Sequence, residues 1–455
     1  MFEFGRELKR LFQPDAPKDG LTGGDASLLE LLELDMLCAE ARAADIAAGR
    51  ISATDPAERQ LEAALVWREI ARRTGDALAL RKSAAAAESS ANSFGRVSRP
   101  QGWARARCEQ GRAAMLGAAL FGDRGLDAAA EVALREARAS FANAAGAAQV
   151  DAAQAVIEAR KVLGAGDRAA VIAAARRFDA PIAALLTRGR RRAIDRLWAA
   201  SASADRADLL AAAGARLKDP MLLRMALDGL ASALERLDPA YEPLTWAILA
   251  CLRATTRSAL AELDADLSEA AGAVNDLVDV LDRVGKDHSP LDWARAQQAL
   301  ADALQIMGEV ADCDRAFEQA SACYKRAMTV FAGQPGLVEG PAALHNSIQC
   351  LLRAAELRGD LAALDEAEAA LRTDLAASNP AKDPVAWGVR QLSFARAYES
   401  RANIAGRDTR REAGAAQALT AALEVFGEHG RRDLADLAAS GLARLRVREG
   451  RRRRV

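Results

Sequence analysis

The sequence predicts an all-α protein, an α-solenoid of stacked helical hairpins, and three observations carry that expectation. Hydrophobic residues make up 51% of the 455 residues but aromatics only 4%, so Ala, Leu and Val supply the apolar mass, a helix-building composition. The frame Pro-x-x-Trp recurs at Pro100/Trp103, Pro243/Trp246, Pro290/Trp293 and Pro384/Trp387; its tryptophans lie 143, 47 and 94 residues apart, about three, one and two copies of 47. A second marker series, Phe94, Phe141, Leu237, Val284, Phe331 and Phe426, is spaced by 47, 96, 47, 47 and 95, and no stretch shows sustained β alternation.

At the N-terminus, charges are interleaved through the apolar residues of Met1 to Phe12, so no secretory signal is expected. Phe4, Leu8, Leu11 and Phe12 fall on one face of a short amphipathic helix, which is marginal alone and must dock on something. Its own solenoid, a partner groove and a membrane surface are the options. Near-balanced charge gives little pull toward anionic lipid and favours protein. Residues 1–27 are therefore expected to be this segment plus a linker at Gly20 to Gly24, and residues 28–54 an opening helix.

Residues 55–430 read as an array of roughly eight hairpins, best seen from Pro290 to Phe331. Ser289 can cap the first helix, Pro290 suits its first position, and Asp292 has capping-box spacing. Trp293, Leu300, Leu304 and Met307 share a face, Gly308 is expected to end that helix, and Phe317, Ala320, Tyr324, Ala327 and Phe331 form the second stripe. Asp55-Pro56, Glu242-Pro243 and Asp383-Pro384 repeat the opening, and Ala130, Leu134, Ala137 and Phe141 repeat the second stripe. A hairpin cannot bury its stripe alone, so units must stack, each touching only its neighbours, and leave a concave groove. Residues 431–455 read as a closing helix through Leu434, Leu437, Leu442 and Leu445, followed by a basic tail at Arg451 to Arg454.

Several function classes are excluded. With 62 Lys and Arg against 63 Asp and Glu, the chain is no globally basic nucleic-acid coat, and no apolar run approaches the roughly 18 residues of a membrane span. Six cysteines and three histidines are scattered without metal-ligand spacing, so a cytoplasmic protein with free thiols, no metal and no cofactor is expected. Phosphate loops, HExxH and GxSxG frames are absent, and His345 and Cys350 sit on different helix faces, which speaks against an enzyme. The arginine cluster Arg188, Arg190, Arg191, Arg192 and Arg196 lacks interleaved aromatics and, beside Asp195, Asp205 and Asp208, reads as a solvated helix face.

Leu300-Ala301, Leu304, Gly308, Ala320, Tyr324 and Ala327 resemble the signature positions of the tetratricopeptide repeat. The unit departs from the standard 34 residues through extra residues between Gly308 and Ala320 and an earlier start, and so is similar to the longer bacterial variant opening Pro-Leu-Asp-Trp-Ala. The match is fair over 341–374 and 384–426 and degenerate from 55 to 284, where Trp198 lies about where a repeat tryptophan belongs. The resemblance implies a right-handed superhelix whose groove is lined by the first helix of each pair. It also implies a non-catalytic scaffold or adaptor binding a peptide or protein segment. Carried over by position, the candidate partner-binding residues are Arg295, Gln298, Asp302, Gln305, Asn346, Gln349, Arg353 and Glu356. Asp302 stands where the relatives that grip chaperone tails need an Asn, so that ligand is not expected. The alternative is an RNA-binding or regulatory helical-repeat protein using the arginine clusters.

Overall fold

The computed structural model describes residues 25–49, 55–164, 166–189, 192–406 and 409–452. The expected docking residues Phe4, Leu8, Leu11 and Phe12, the Gly20 to Gly24 linker, and Arg190, Arg191, Arg453 and Arg454 lie outside them. Among the described residues there are no strands. A 3-10 helix, Ala26–Leu31, is followed by nineteen α-helices: α1 Leu34–Ala48, α2 Pro56–Thr74, α3 Ala77–Phe94, α4 Pro100–Phe121, α5 Arg124–Ser140, α6 Ala144–Leu163, α7 Arg168–Arg176, α8 Asp179–Gly189, α9 Ala193–Leu217, α10 Pro220–Leu234, α11 Pro243–Asp264, α12 Leu267–Arg283, α13 Pro290–Ala311, α14 Asp314–Phe331, α15 Glu339–Arg358, α16 Leu361–Ala377, α17 Pro384–Ala405, α18 Thr409–Glu428 and α19 Arg432–Arg452.

Local chemistry starts these helices where the prolines stand. Each Pro-x-x-Trp frame opens a helix of 22 residues, its proline filling the first position, where a backbone N–H would go unpaired. Asp55 and Asp383 accept the N–H three residues on, at 3.2 and 3.0 Å. Ser289 instead donates its hydroxyl to Asp292 at 2.7 Å, so the pair is joined side chain to side chain rather than as a capping box. Gly308 does not end α13, which runs on to Ala311 and closes at Asp312 with φ 47°. The glycine is there for clearance: a Cβ on it would lie 2.9 Å from the Phe317 ring. The marker phenylalanines work similarly, since Cβ atoms on Gly102 and Gly388 would collide with Phe94 at 2.4 Å and Phe426 at 2.8 Å.

Between 144 and 237 the hairpins are irregular. The place of one long second helix is taken by two short ones, α7 of 9 residues and α8 of 11. At the end of the chain, Leu434, Leu442 and Leu445 pack on the core around Leu371, Phe394 and Phe426, while Leu437 is 58% exposed. Ala438, four residues beyond Leu434, takes the buried place expected of Leu437.

The chain clusters into two compact units. The first comprises the described residues up to 257 with 275–296 and 330–339; the second comprises 258–274, 297–329 and those from 340 onward. Within the first unit the expectation that repeats touch only their neighbours fails. The Val338 N–H donates to the Leu120 carbonyl at 3.0 Å, and Arg72 pairs with Asp292 at 2.8 Å. Rotation accumulated from hairpin to hairpin has brought residues more than two hundred positions apart into contact.

Candidate functional site

The first unit contains a partly open cavity of about 1030 Å³. Its walls come mainly from α2, α4, α6, α9 and α11, the helices in first position of their hairpins, with Asp25 to Glu30 at one end. Leu61, Leu116, Leu197, Ile248 and Leu252 supply an apolar surface, and Ile248 is 38% exposed although it faces this space.

The end formed by the 3-10 helix is held by paired groups. Fully buried Arg73 donates to the Leu32 carbonyl at 2.7 Å, to the Leu29 carbonyl at 2.5 Å and to Glu69 at 2.8 Å. Glu30 accepts from the Leu244 and Thr245 N–H groups at 3.1 and 3.0 Å, so a carboxylate caps the positive end of α11, and the His288 ring meets the Glu30 carbonyl at 2.9 Å. Burial raises the Glu30 pKa against those hydrogen bonds. Burial acts the same way on Glu69, but Arg72 and Arg73 outweigh it and hold that carboxyl far below its usual range.

Further along the walls the pairing stops. Arg68 is taken by Glu109, Arg72 by Glu69 and Asp292, and Arg295 by Glu339. Arg112, half-buried on α4, has no carboxylate within ion-pair distance among the described residues; its guanidinium lies 5.4 Å from the centre of the Trp198 ring, and burial lowers its pKa. Trp198, Ser201, Asp205 and Asp208 form a stripe on α9 at i, i+3, i+7 and i+10, all on the cavity wall. Asp205 and Asp208 have no hydrogen-bond or ion-pair partner among the described residues. Burial, and then the neighbouring Asp208 charge, push Asp205 up to about 7, while Arg160 and Arg112 pull the other way. Asp205 is thus on a cavity wall and Asp195 is completely buried, while Arg188, Arg192 and Asp208 are exposed, so this segment is only in part the solvated face its composition suggested. Arg188 and Arg192 approach Asp195 at 3.7 and 3.9 Å, and Arg196 pairs with Glu242, so these members of the arginine cluster are engaged with carboxylates.

Of the residues expected to hold a partner, Arg295 lies in the first unit and lines the cavity; the other seven belong to the second unit. There most of them meet neighbouring side chains, and Gln349 Nε2 is buried with no hydrogen-bond partner among the described residues. The Tyr324 hydroxyl donates to Asp302 and lies 3.3 Å from Gln305, with Asn346 hydrogen-bonded beside it and the Cys350 thiol 3.6 Å from Gln305. Burial pushes the Asp302 carboxyl up to about 6, opposed by the tyrosine's hydrogen bond. Arg353 pairs with Glu309 at 3.1 Å and Glu356 at 2.9 Å, and Gln298 and Gln349 are half-buried. The cavity-wall residues that sequence reading missed are Arg112, Asp205, Asp208 and Trp198. The signal available was that four-residue stripe, which composition alone cannot tell from a solvated face.

Two further groups bear on chemistry. The thiols lining the cavity, Cys108 and Cys251, are pushed up by burial to about 11 and 12, which keeps them protonated and poorly nucleophilic. In the second unit, Ser393 Oγ lies 3.0 Å from His345 Nε2, and His345 Nδ1 lies 2.8 Å from Asp374, which Arg390 also meets at 3.0 Å. The order resembles a hydrolase triad, but Ser393 is 7% exposed and is in the interior of α17, with its hydroxyl 3.1 Å from the Val389 carbonyl. The network staples α15, α16 and α17 together. Among the described residues no cluster of His, Cys, Asp and Glu could hold a metal ion, and no helix is long and apolar enough to cross a membrane.

No protein-family model matches this chain, and no curated protein matches it. Among solved structures, a Rap protein complexed with competence and sporulation factor aligns with a TM-score of 0.48 at 11% identity, over 86% of this chain and 99% of that one. A circular tandem repeat protein with novel repeat topology and enhanced subunit contact surfaces aligns with a TM-score of 0.28 at 15% identity, over 94% and 97%. With its helices packed consecutively and no strand among the described residues, the chain is an all-α solenoid.

Proposed function

We propose that the chain is a non-catalytic interaction solenoid, built on a tetratricopeptide-like unit of about 47 residues, that binds a short peptide segment in the cavity of its first unit. The observation that carries this reading is the charge of Arg112, Asp205 and Asp208, unpaired among the described residues, on a wall whose other ionic groups have partners. Uncompensated charge in a partly desolvated cavity is costly unless something arrives to meet it. The volume, about 1030 Å³, is at the upper end of the roughly 300–1,000 Å³ of small-molecule sites and suits a few residues of extended chain. A folded domain would need a flatter and larger surface.

The test is hydrogen exchange of the full chain with and without a mixture of random hexapeptides. Protection is expected in α4, α6 and α9, with the retained peptides identified by mass spectrometry. Retention should survive Arg353→Glu, in the second unit, and fall with Trp198→Glu. No retention, or protection centred on α13 and α15, would overturn the reading.

A further inference from the structure

We infer that the peptide segment carries a basic side chain and, a few residues away, a carboxylate, with Asp205 and Asp208 receiving the guanidinium or ammonium and Arg112 receiving the anion. This rests on the peptide-binding reading and adds what the peptide must present.

Matching each charge on the cavity wall to its partner isolates these three. Arg105 is paired with Glu58 at 2.6 Å, Glu30 caps α11, and Asp25 caps the 3-10 helix. With Arg68, Arg72 and Arg295 also matched, and Arg192 reaching Asp195 at 3.9 Å, one cation and two anions are left over among the described residues. Arg112 and Asp205 feel each other's charge but form no ion pair. Each is therefore available to a ligand group of opposite sign.

Geometry separates the two subsites. Asp205 is seven residues beyond Trp198, about 10 Å along the helix axis at 1.5 Å per residue, and Arg112 stacks at the Trp198 level. An extended peptide rises about 3.3 Å per residue, so the two ligand charges fall roughly three residues apart. Between them Trp198 offers a flat apolar surface for the stem of a Lys or Arg. A bidentate arginine is the best match, because two carboxylates one helical turn apart present acceptors to its fork of donors.

The acidic subsite also makes binding pH-dependent. Asp205 faces Asp208 on its own helix, Arg160 from α6 and Arg112 from α4. A cationic ligand needs the ionised carboxylate, so protonation competes with binding, and affinity falls as pH drops through the region of about 7.

The experiment uses the full chain and a terminally blocked random hexapeptide library, so that only side chains carry charge. Among peptides retained at about pH 8, Lys and Arg are expected to be enriched about tenfold over the input, with Asp or Glu three or so positions away, and retention should fall several-fold at about pH 6. The double variant Asp205→Asn, Asp208→Asn should lose the basic enrichment with an unchanged helical circular-dichroism spectrum, and Arg112→Gln should lose the acidic enrichment. A retained pool with the input's charge composition, or with acidic residues alone, overturns this inference and leaves the cavity a peptide site. No retained pool overturns both readings. Should a variant fail to fold, the composition and pH dependence of the parent pool decide the matter alone.

Discussion

The two units differ in what their charged side chains meet. In the second, Tyr324 meets Asp302, His345 joins Asp374 to Ser393, and Arg353 sits between Glu309 and Glu356. In the first, Arg73 and Glu30 are matched in the same manner, but on the cavity wall half-buried Arg112 and Asp205 and exposed Asp208 have no partner among the described residues. A matched buried group stabilises the fold and is removed at a cost, whereas an unmatched one weakens the fold and is removed at a gain. In the region where the repeat pattern is cleanest, 290–374, the polar residues named here are paired with one another. The region where the pattern degenerates has polar residues left without a partner among the described residues.

Stability measurements can break or sharpen this contrast. Arg73→Met should cost most, about 3 to 5 kcal/mol by urea unfolding, because it strips a completely buried cation from the Leu29 and Leu32 carbonyls and leaves Glu69 short of a partner. Hydrogen exchange in Ala26–Leu31 should accelerate in that variant; unchanged exchange would mean the 3-10 helix is held by other contacts. Leu304→Ala, at a site 5% exposed, should cost about 2 to 5 kcal/mol and loosen α13 and α14 before the rest of the chain.

Polar deletions should then divide by sign. Tyr324→Phe leaves Asp302 without its donor and should lower stability by about 1 to 3 kcal/mol. Asp205→Asn should do the reverse. Its folded pKa, about 7, is above the unfolded value near 3.9, so the folded state holds the proton more tightly. The parent chain therefore gains stability as pH falls from about 8 toward 5, and loses it as the carboxyl ionises. The asparagine variant should be more stable than the parent by about 1 to 2 kcal/mol at about pH 8 and equal to it at about pH 4, with cavity water limiting the difference. A destabilised Asp205→Asn would show that the aspartate has a structural partner after all. The smallest effect is chemical: a fluorophosphonate probe should leave Ser393 unlabelled in the folded chain, and labelling there would reopen catalysis in the second unit.

Helices, their starts and their class were legible because each depends on a few adjacent residues. Proline at a first position, an aspartate before it, and apolar residues at helical spacing act within a turn or two, and α2, α4, α11, α13 and α17 begin at the prolines the sequence marks. Position Gly308 was misread because a glycine at a helix end and one under an aromatic ring look alike in sequence; only the position of Phe317 distinguishes them. The split of α7 and α8 lay in the stretch where period was the sole guide.

The site was mostly illegible, for a different reason. Whether a charged residue is paired depends on what the fold brings opposite it. Arg72 finds Asp292 across 220 residues, and Glu30 finds Thr245 across 215. Arg112 and Asp205 find nothing comparable among the described residues, though they are the same residue types as Arg72 and Asp292. Sequence by itself determined that this chain is a row of helices with small residues at their contacts, since propensity and periodicity are local. Tertiary structure alone decided which polar residues face one another, because a small rotation per hairpin, summed over several hairpins, sets who meets whom. No single repeat contains that sum.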